Sequence, residues 1–155
     1  MNVSLLLLAV PLVFFSACAS NEPDLEVSVY HLKDTKIYNR EAPLVRAEQQ
    51  KRLRGAVSNV ERNARKGEYF TVDWDQGQGV ALGDTVKVVL LYRQAATASE
   101  VYKMEREYPI AKRKGVTDFS LTGDEYKKNG RVLNWRSELY SGDQLLAYEQ
   151  SYLWQ

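Results

Sequence analysis

The sequence predicts a mainly β domain: a two-sheet sandwich of about seven strands, with a short helical segment between residues 43 and 66. Three observations predict it. From residue 67 onward, apolar and polar residues alternate in short runs. Turn residues separate those runs at near-regular spacing. No helical period falls between consecutive runs, which argues against a doubly wound α/β arrangement.

Residues 25–31 alternate, with Leu25, Val27 and Val29 on one side, and read as a strand. Residues 41–66 admit two readings. Leu53, Ala56, Val57, Val60 and Ala64 recur at about 3.6 residues, which suits one long helix, with Pro43 in its first turn and Gly67 just past its end. Gly55 in the middle and an internal capping box, Ser58 with Glu61 three residues on, argue for a break. The second reading is a short strand at 52–57 followed by a helical turn at 58–66. It fits slightly better and supplies one of the seven strands.

Residues 68–75 alternate, with Phe70, Val72 and Trp74 on one face. A glycine-rich connection follows at 76–83. Residues 85–93 form the most apolar run and read as a central strand. Residues 100–108 form a strand closed by Pro109, and their high charge suggests a sheet edge. Residues 115–121 form another short strand, and 122–130 hold turn material including Asn129-Gly130. Residues 131–140 place Leu133, Trp135 and Leu139 against Asn134, Arg136 and Glu138. A turn at Ser141-Gly142-Asp143 then leads into a last strand, 145–154, forming a hairpin.

The amino-terminal stretch is not part of this domain. All 21 basic and 20 acidic residues lie from Glu22 onward. Val3 to Ala17 read VSLLLLAVPLVFFSA, an apolar run of the length of an export signal, interrupted by Pro11 and ending in small residues before Cys18. The tetrad Phe15-Ser16-Ala17-Cys18 resembles the bacterial lipobox, with Phe15 where Leu is usual. The resemblance implies that residues 1–17 are a lipoprotein signal peptide. Cys18 would then be the lipidated first residue, carrying diacylglycerol and an N-acyl chain such as palmitate, with 18–24 a lipidated tether. Two such chains suffice for stable anchoring in a bilayer. Residues 25–155 are then a single domain, long enough to fold without disulfides. Ala19 and Ser20 follow the Cys, and by analogy with enterobacterial sorting the absence of Asp there implies the outer membrane, on either its periplasmic side or the cell surface.

The mature domain resembles a fibronectin type III or immunoglobulin-like module over about residues 52–154. Trp74 ends a strand where such modules often place a core Trp. Leu121-Thr122-Gly123-Asp124-Glu125-Tyr126 resembles the segment leading into a tyrosine corner. The single Cys excludes an antibody-type inter-sheet disulfide, and it excludes Cys clusters for zinc or iron–sulfur.

Little here points to catalysis. His31 is the only histidine, no nucleophile elbow accompanies it, and it reads as a structural residue. Asp73 and Asp75 bracket Trp74 and share one face; paired carboxylates serve glycoside chemistry, but a solvated strand face is the simpler reading. Gly77, Gly79 and Gly83 match no phosphate-binding fingerprint. No cofactor is implied. A net charge of +1 gives no global field for nucleic acid, and an exported protein makes that partner more remote.

Two features suggest contacts. Arg46 to Lys66 holds seven basic residues against Glu48 and Glu61, so Arg52, Arg54, Arg62 and Arg65 are candidates to touch anionic lipid or an acidic polymer. Tyr148, Tyr152 and Trp154 share a strand parity with Leu146, as half of a core or as a platform for sugar rings. The function expected is therefore a non-enzymatic, membrane-anchored envelope lipoprotein. Its domain would bind or assemble with an envelope protein. The alternative is a recognition module for glycan or another acidic envelope polymer, using the basic segment 46–66 and exposed aromatics.

Overall fold

In the computed structural model, residues 22–38, 40–78, 85–97 and 99–155 are described. The apolar segment 1–17, Cys18, residues 19–21 of the tether, and Gly79 and Gly83 lie outside the described residues. The elements in chain order are β1 (Asp24–Leu32), α1 (Pro43–Leu53), α2 (Asn59–Ala64), β2 (Gly67–Asp75), β3 (Thr85–Gln94), β4 (Tyr102–Pro109), β5 (Lys114–Thr122), α3 (Gly123–Asn129), β6 (Val132–Ser141) and β7 (Gln144–Gln150). A single 3₁₀ turn, Ala95–Thr97, follows β3.

The strands form two antiparallel sheets, in the orders β1-β2-β5 and β4-β3-β6-β7. This is a β-sandwich in which the fourth strand lies beside the third. The core lies between the sheets. Phe70, Val72 and Trp74 of β2 meet Val86, Val88 and Leu90 of β3, with Phe119, Leu121 and Leu139 completing it. The alternation of β2 delivers those three apolar side chains to one face, as its sequence requires. Trp74 is fully buried, and its indole N–H donates to Thr117 Oγ1 at 2.9 Å, so the ring's one polar atom is satisfied inside the core. The charged strand β4 is indeed an edge.

The sandwich has seven strands among the described residues, but not the seven expected from residue 52 onward. No strand forms at 52–57, nor does one long helix run through 43–66. Leu53 ends α1, and Gly55 takes φ +82°, which turns the chain before Ala56 is buried. The capping box then starts α2: the Ser58 hydroxyl accepts from Glu61 N–H, and the Glu61 carboxylate accepts from Ser58 N–H. The supposed apolar stripe is thereby split. Leu53 and Ala56 are buried, whereas Val57 and Val60 are more than three-quarters exposed. The missing strand is replaced in the count by β1, which pairs with β2 along its whole length.

Three further expectations change. Residues 122–130 form α3 rather than a turn. Asp124 and Glu125 in its first turn and Lys127 and Lys128 in its last complement the helix dipole, and Gly130 closes it at φ +75°. Tyr126 therefore sits on a helix and makes no tyrosine corner. In β6 the pairing slips by one residue opposite Arg93 and Gln94, a bulge that reverses strand parity. Val132 is buried in place of Leu133, and Trp135 is only half-buried, edge-on to Phe70 at 6.0 Å. β7 ends at Gln150, where a turn carries the chain away, so Tyr148, Tyr152 and Trp154 do not continue one strand face. The β6–β7 hairpin itself is as expected, with Gly142 at φ +57° in its two-residue turn.

The two ends of the sandwich differ. β1 begins at one end and finishes at the other, about 30 Å away at roughly 3.4 Å per residue. Residues 33–66 and α3 gather where β1 finishes, joined by Gly123 N–H to Lys66 O at 3.4 Å and by Gln94 Nε2 to Gly130 O at 2.9 Å. At the opposite end the described residues include no helix, and Gln76 N–H donates to Arg113 O at 2.8 Å and Gly142 N–H to Thr85 O at 2.9 Å.

These burials predict unequal costs for the two strand tryptophans. Trp74→Ala should destabilise the protein by roughly 3–5 kcal/mol in urea unfolding, because it empties a filled core site. Trp135→Ala should cost less, as Trp135 is only partly buried against that core. Equal costs would contradict the difference in burial between the two rings.

Candidate functional site

The helical end carries a groove. It is open, encloses about 700 Å³, and is lined by Thr35, Lys36, Ile37, Tyr38, Gln50, Leu53, Asn59 and Arg62. Three pieces of chain form its walls, and each is fixed locally. The loop after β1 is shaped by Asp34, whose carboxylate accepts from Lys36 N–H at 3.0 Å and from the Tyr38 hydroxyl at 3.1 Å. Buried Gln49 of α1 donates to Asp34 O and Lys36 O, both at 2.9 Å, and fastens that loop to the helix. The Gly55 turn and the capping box set α2, so Asn59 and Arg62 face α1 across the groove. Leu53 contributes to the floor and belongs to a small cluster with Leu32 and Tyr69.

The four candidate arginines do not act as one patch. Arg52 is nearly buried, its side chain about one-tenth exposed. Its guanidinium bonds Glu48 at 2.6 Å and Thr71 Oγ1 at 3.0 Å, reaches Asp118 at 3.4 Å, and lies 4.6 Å over the Tyr69 ring. Arg52 is thus the pin that holds α1 against the outer face of the three-stranded sheet. Arg65 donates to Arg52 O at 3.3 Å and Arg62 to Ala56 O at 3.3 Å. Arg54 is exposed. Of the four, only Arg62 lines the groove.

His31 does enter a polar cluster. Its Nε2 lies 2.6 Å from the Tyr126 hydroxyl, and its Nδ1 lies 3.9 Å from Glu68 Oε1. Glu68 is buried and accepts from Val132 N–H at 2.6 Å, a donor left free of the sheet ladder beside the β6 bulge. Burial pushes the Glu68 carboxyl above its ordinary 4.5, against the pull of Val132 N–H, Arg131 and Lys33. Burial pushes the His31 imidazole below its ordinary 6.5, helped by the charges of Lys33 and Arg131. Both shifts favour the neutral forms, and the contacts join β1, β2, β6 and α3 rather than converge on a cleft.

The other sequence candidates are also placed. Asp73 is exposed on the outer face of β2, and Asp75 caps the next turn by accepting from Gly77 N–H at 2.8 Å. They share one face, opposite Trp74, as alternation requires. Tyr148 and Tyr152 are exposed, at 56% and 98%, so they do not form half of the core. Arg136 stacks on Tyr148 at 4.2 Å and Arg93 on Trp154 at 4.5 Å, each occupying one face of its ring. The groove residues Thr35, Lys36, Ile37, Tyr38, Gln50 and Asn59 carry no motif, and sequence reading did not single them out. Among the described residues no helix is long and apolar enough to cross a membrane. Comparison of the chain with known protein families, characterised proteins and solved structures finds no match.

Two predictions test this frame. Arg52→Leu should destabilise the protein by about 2 kcal/mol, because Glu48 and Thr71 each lose a charged donor and Tyr69 loses the stacked guanidinium. Arg54→Gln should change stability by less than about 0.5 kcal/mol, measured by the same denaturant titration. The second concerns pH. The depressed imidazole contributes stability that is fully present above its unfolded value of 6.5 and is lost as pH falls through 6.5 toward the folded value. The raised Glu68 carboxyl works in the opposite sense, favouring the fold as pH falls toward 4.5. Wild type should therefore lose stability relative to His31→Gln between about pH 7.5 and pH 5.5. A pH-independent difference would refute the buried neutral imidazole.

Proposed function

We propose that this chain is an envelope lipoprotein, anchored in the bacterial outer membrane through lipidated Cys18, whose sandwich is a non-enzymatic binding or assembly domain. The observation that carries this reading is the placement of the elaborated end. β1 begins at Asp24, six residues after Cys18, and a linker of that length spans at most about 20 Å. The end of the sandwich where β1 begins is thus kept close to the lipid, and the end bearing α1, α2, α3 and the groove is held out, a strand length further away. A domain organised in this way offers its irregular surface to a partner beyond the anchoring membrane. The basic segment then faces away from the anchoring lipid rather than pressing onto it. His31 and Glu68 serve as framework in this reading, since their contacts tie elements together.

Mass spectrometry of the membrane-extracted protein should give an amino-terminal Cys18 carrying diacylglycerol and a further acyl chain. Cys18→Ala should accumulate as unprocessed precursor or leave the outer-membrane fraction while keeping the folded domain. Recovery of an intact chain with an unmodified Cys18 thiol would refute the proposal.

A further inference from the structure

We infer that the groove between residues 35–38, α1 and α2 is a binding site for an anionic glycan, one whose sugar rings bear carboxylate or phosphate groups. The lining decides the chemistry. Lys36 and Arg62 supply two cations, and among the described lining residues there is no carboxylate. Gln50, Asn59 and Thr35 supply amide and hydroxyl groups that both donate and accept, the pairing that sugar hydroxyls require. Ile37, Leu53 and Tyr38 supply apolar surface for the C–H faces of a ring. A volume of about 700 Å³ lies in the range of small-ligand clefts and takes a few sugar units rather than a protein side chain alone.

The site is also prepared in advance. Asp34 and Gln49 hold the 35–38 loop, and the bond to Ala56 O sets Arg62. Arg40 lies 5.2 Å from the Tyr38 ring centre and covers one face of it. The surroundings have the same sign: residues 33 to 66 hold ten basic and four acidic side chains. That excess draws a polyanion to this end and not to the sandwich as a whole, whose net charge is only +1. An acidic peptide such as polyglutamate would use the cations but has no sugar ring to lay on Ile37, Leu53 and Tyr38. That the glycan reaches the groove from beyond the anchoring membrane rests on the proposed lipidation of Cys18; the binding itself does not.

The test uses the full chain purified in detergent, with calorimetric titration of an oligogalacturonate and of a phosphorylated mannan oligosaccharide. At least one should bind, and which one does identifies the anionic group. Binding should weaken about tenfold or more in Lys36→Gln/Arg62→Gln, and also in Tyr38→Ala, which keeps the charge. Lys127→Gln/Lys128→Gln, an equal charge loss on α3, should leave affinity within about twofold. Thermal unfolding of each variant checks that the fold is retained; if Tyr38→Ala fails that check, Asn59→Ala on the exposed face of α2 takes its place. The inference is overturned if neither glycan binds. It is equally overturned if polyglutamate or anionic phospholipid vesicles bind as tightly, or if the α3 variant loses as much as the groove variant. None of these outcomes depends on Cys18, whose acylation is read separately by mass.

Discussion

The helical end depends on one buried carboxylate. Glu68 sits at the first inward position of β2, where an apolar residue would ordinarily stand, and burial penalises its charge. It is compensated by Val132 N–H at 2.6 Å, a donor that the β6 bulge leaves without a ladder partner. The bulge and the carboxylate therefore require each other: an unpaired buried N–H and an unpaired buried carboxylate would each be costly, and together they bridge the sheets. His31 lies against Glu68 in register on β1 and passes the connection to Tyr126 on α3. Four elements from both sheets thus meet at a polar junction, and the loops that build the groove spring from beside it.

A second polar device covers the sheet's outer face. Arg52 carries α1 down onto Thr71 and Asp118 and stacks on Tyr69, so a helix with almost no buried apolar surface of its own is still fixed in place. Only Gln49 and Leu53 of that helix are buried. The stability of α1 rests on hydrogen bonds and one stacked guanidinium rather than on an apolar face. The same frugality leaves α2 with no buried residue, held by its capping box and by Arg62 and Arg65 bonding back to the α1–α2 connection.

How much was legible follows from which forces wrote the pattern. Where burial alone decides the side-chain order, as in Phe70, Val72 and Trp74 or in the β3 run, alternation placed strand, face and core correctly. The charged edge β4, the Ser58–Glu61 box and the Gly142 hairpin were legible for the same local reason. Illegible were the features set by partners distant in sequence. The bulge that buries Val132 in place of Leu133 answers to Glu68, 64 residues away. Arg52 reads as one more surface cation until Thr71 and Asp118 are beside it. α3 is too short for a period to show, although its acid-first, base-last order and Gly130 cap were present. The groove was invisible because its walls come from a loop and two helices whose meeting depends on Gly55 and Gln49.

If Cys18 is lipidated as proposed, the elaborated, basic end of the sandwich stands away from the membrane that holds it. Depth measurement by spin-label or fluorophore quenching tests it most directly. The lipidated protein would be reconstituted in vesicles with a single label at Asn59→Cys on α2 or at Asp143→Cys in the β6–β7 turn. The account predicts that the label at 143 lies near the headgroups and is quenched by lipid-borne quenchers, and that the label at 59 lies roughly a strand length, about 30 Å, further out and is not. Equal quenching at both positions, or stronger quenching at 59, would contradict it.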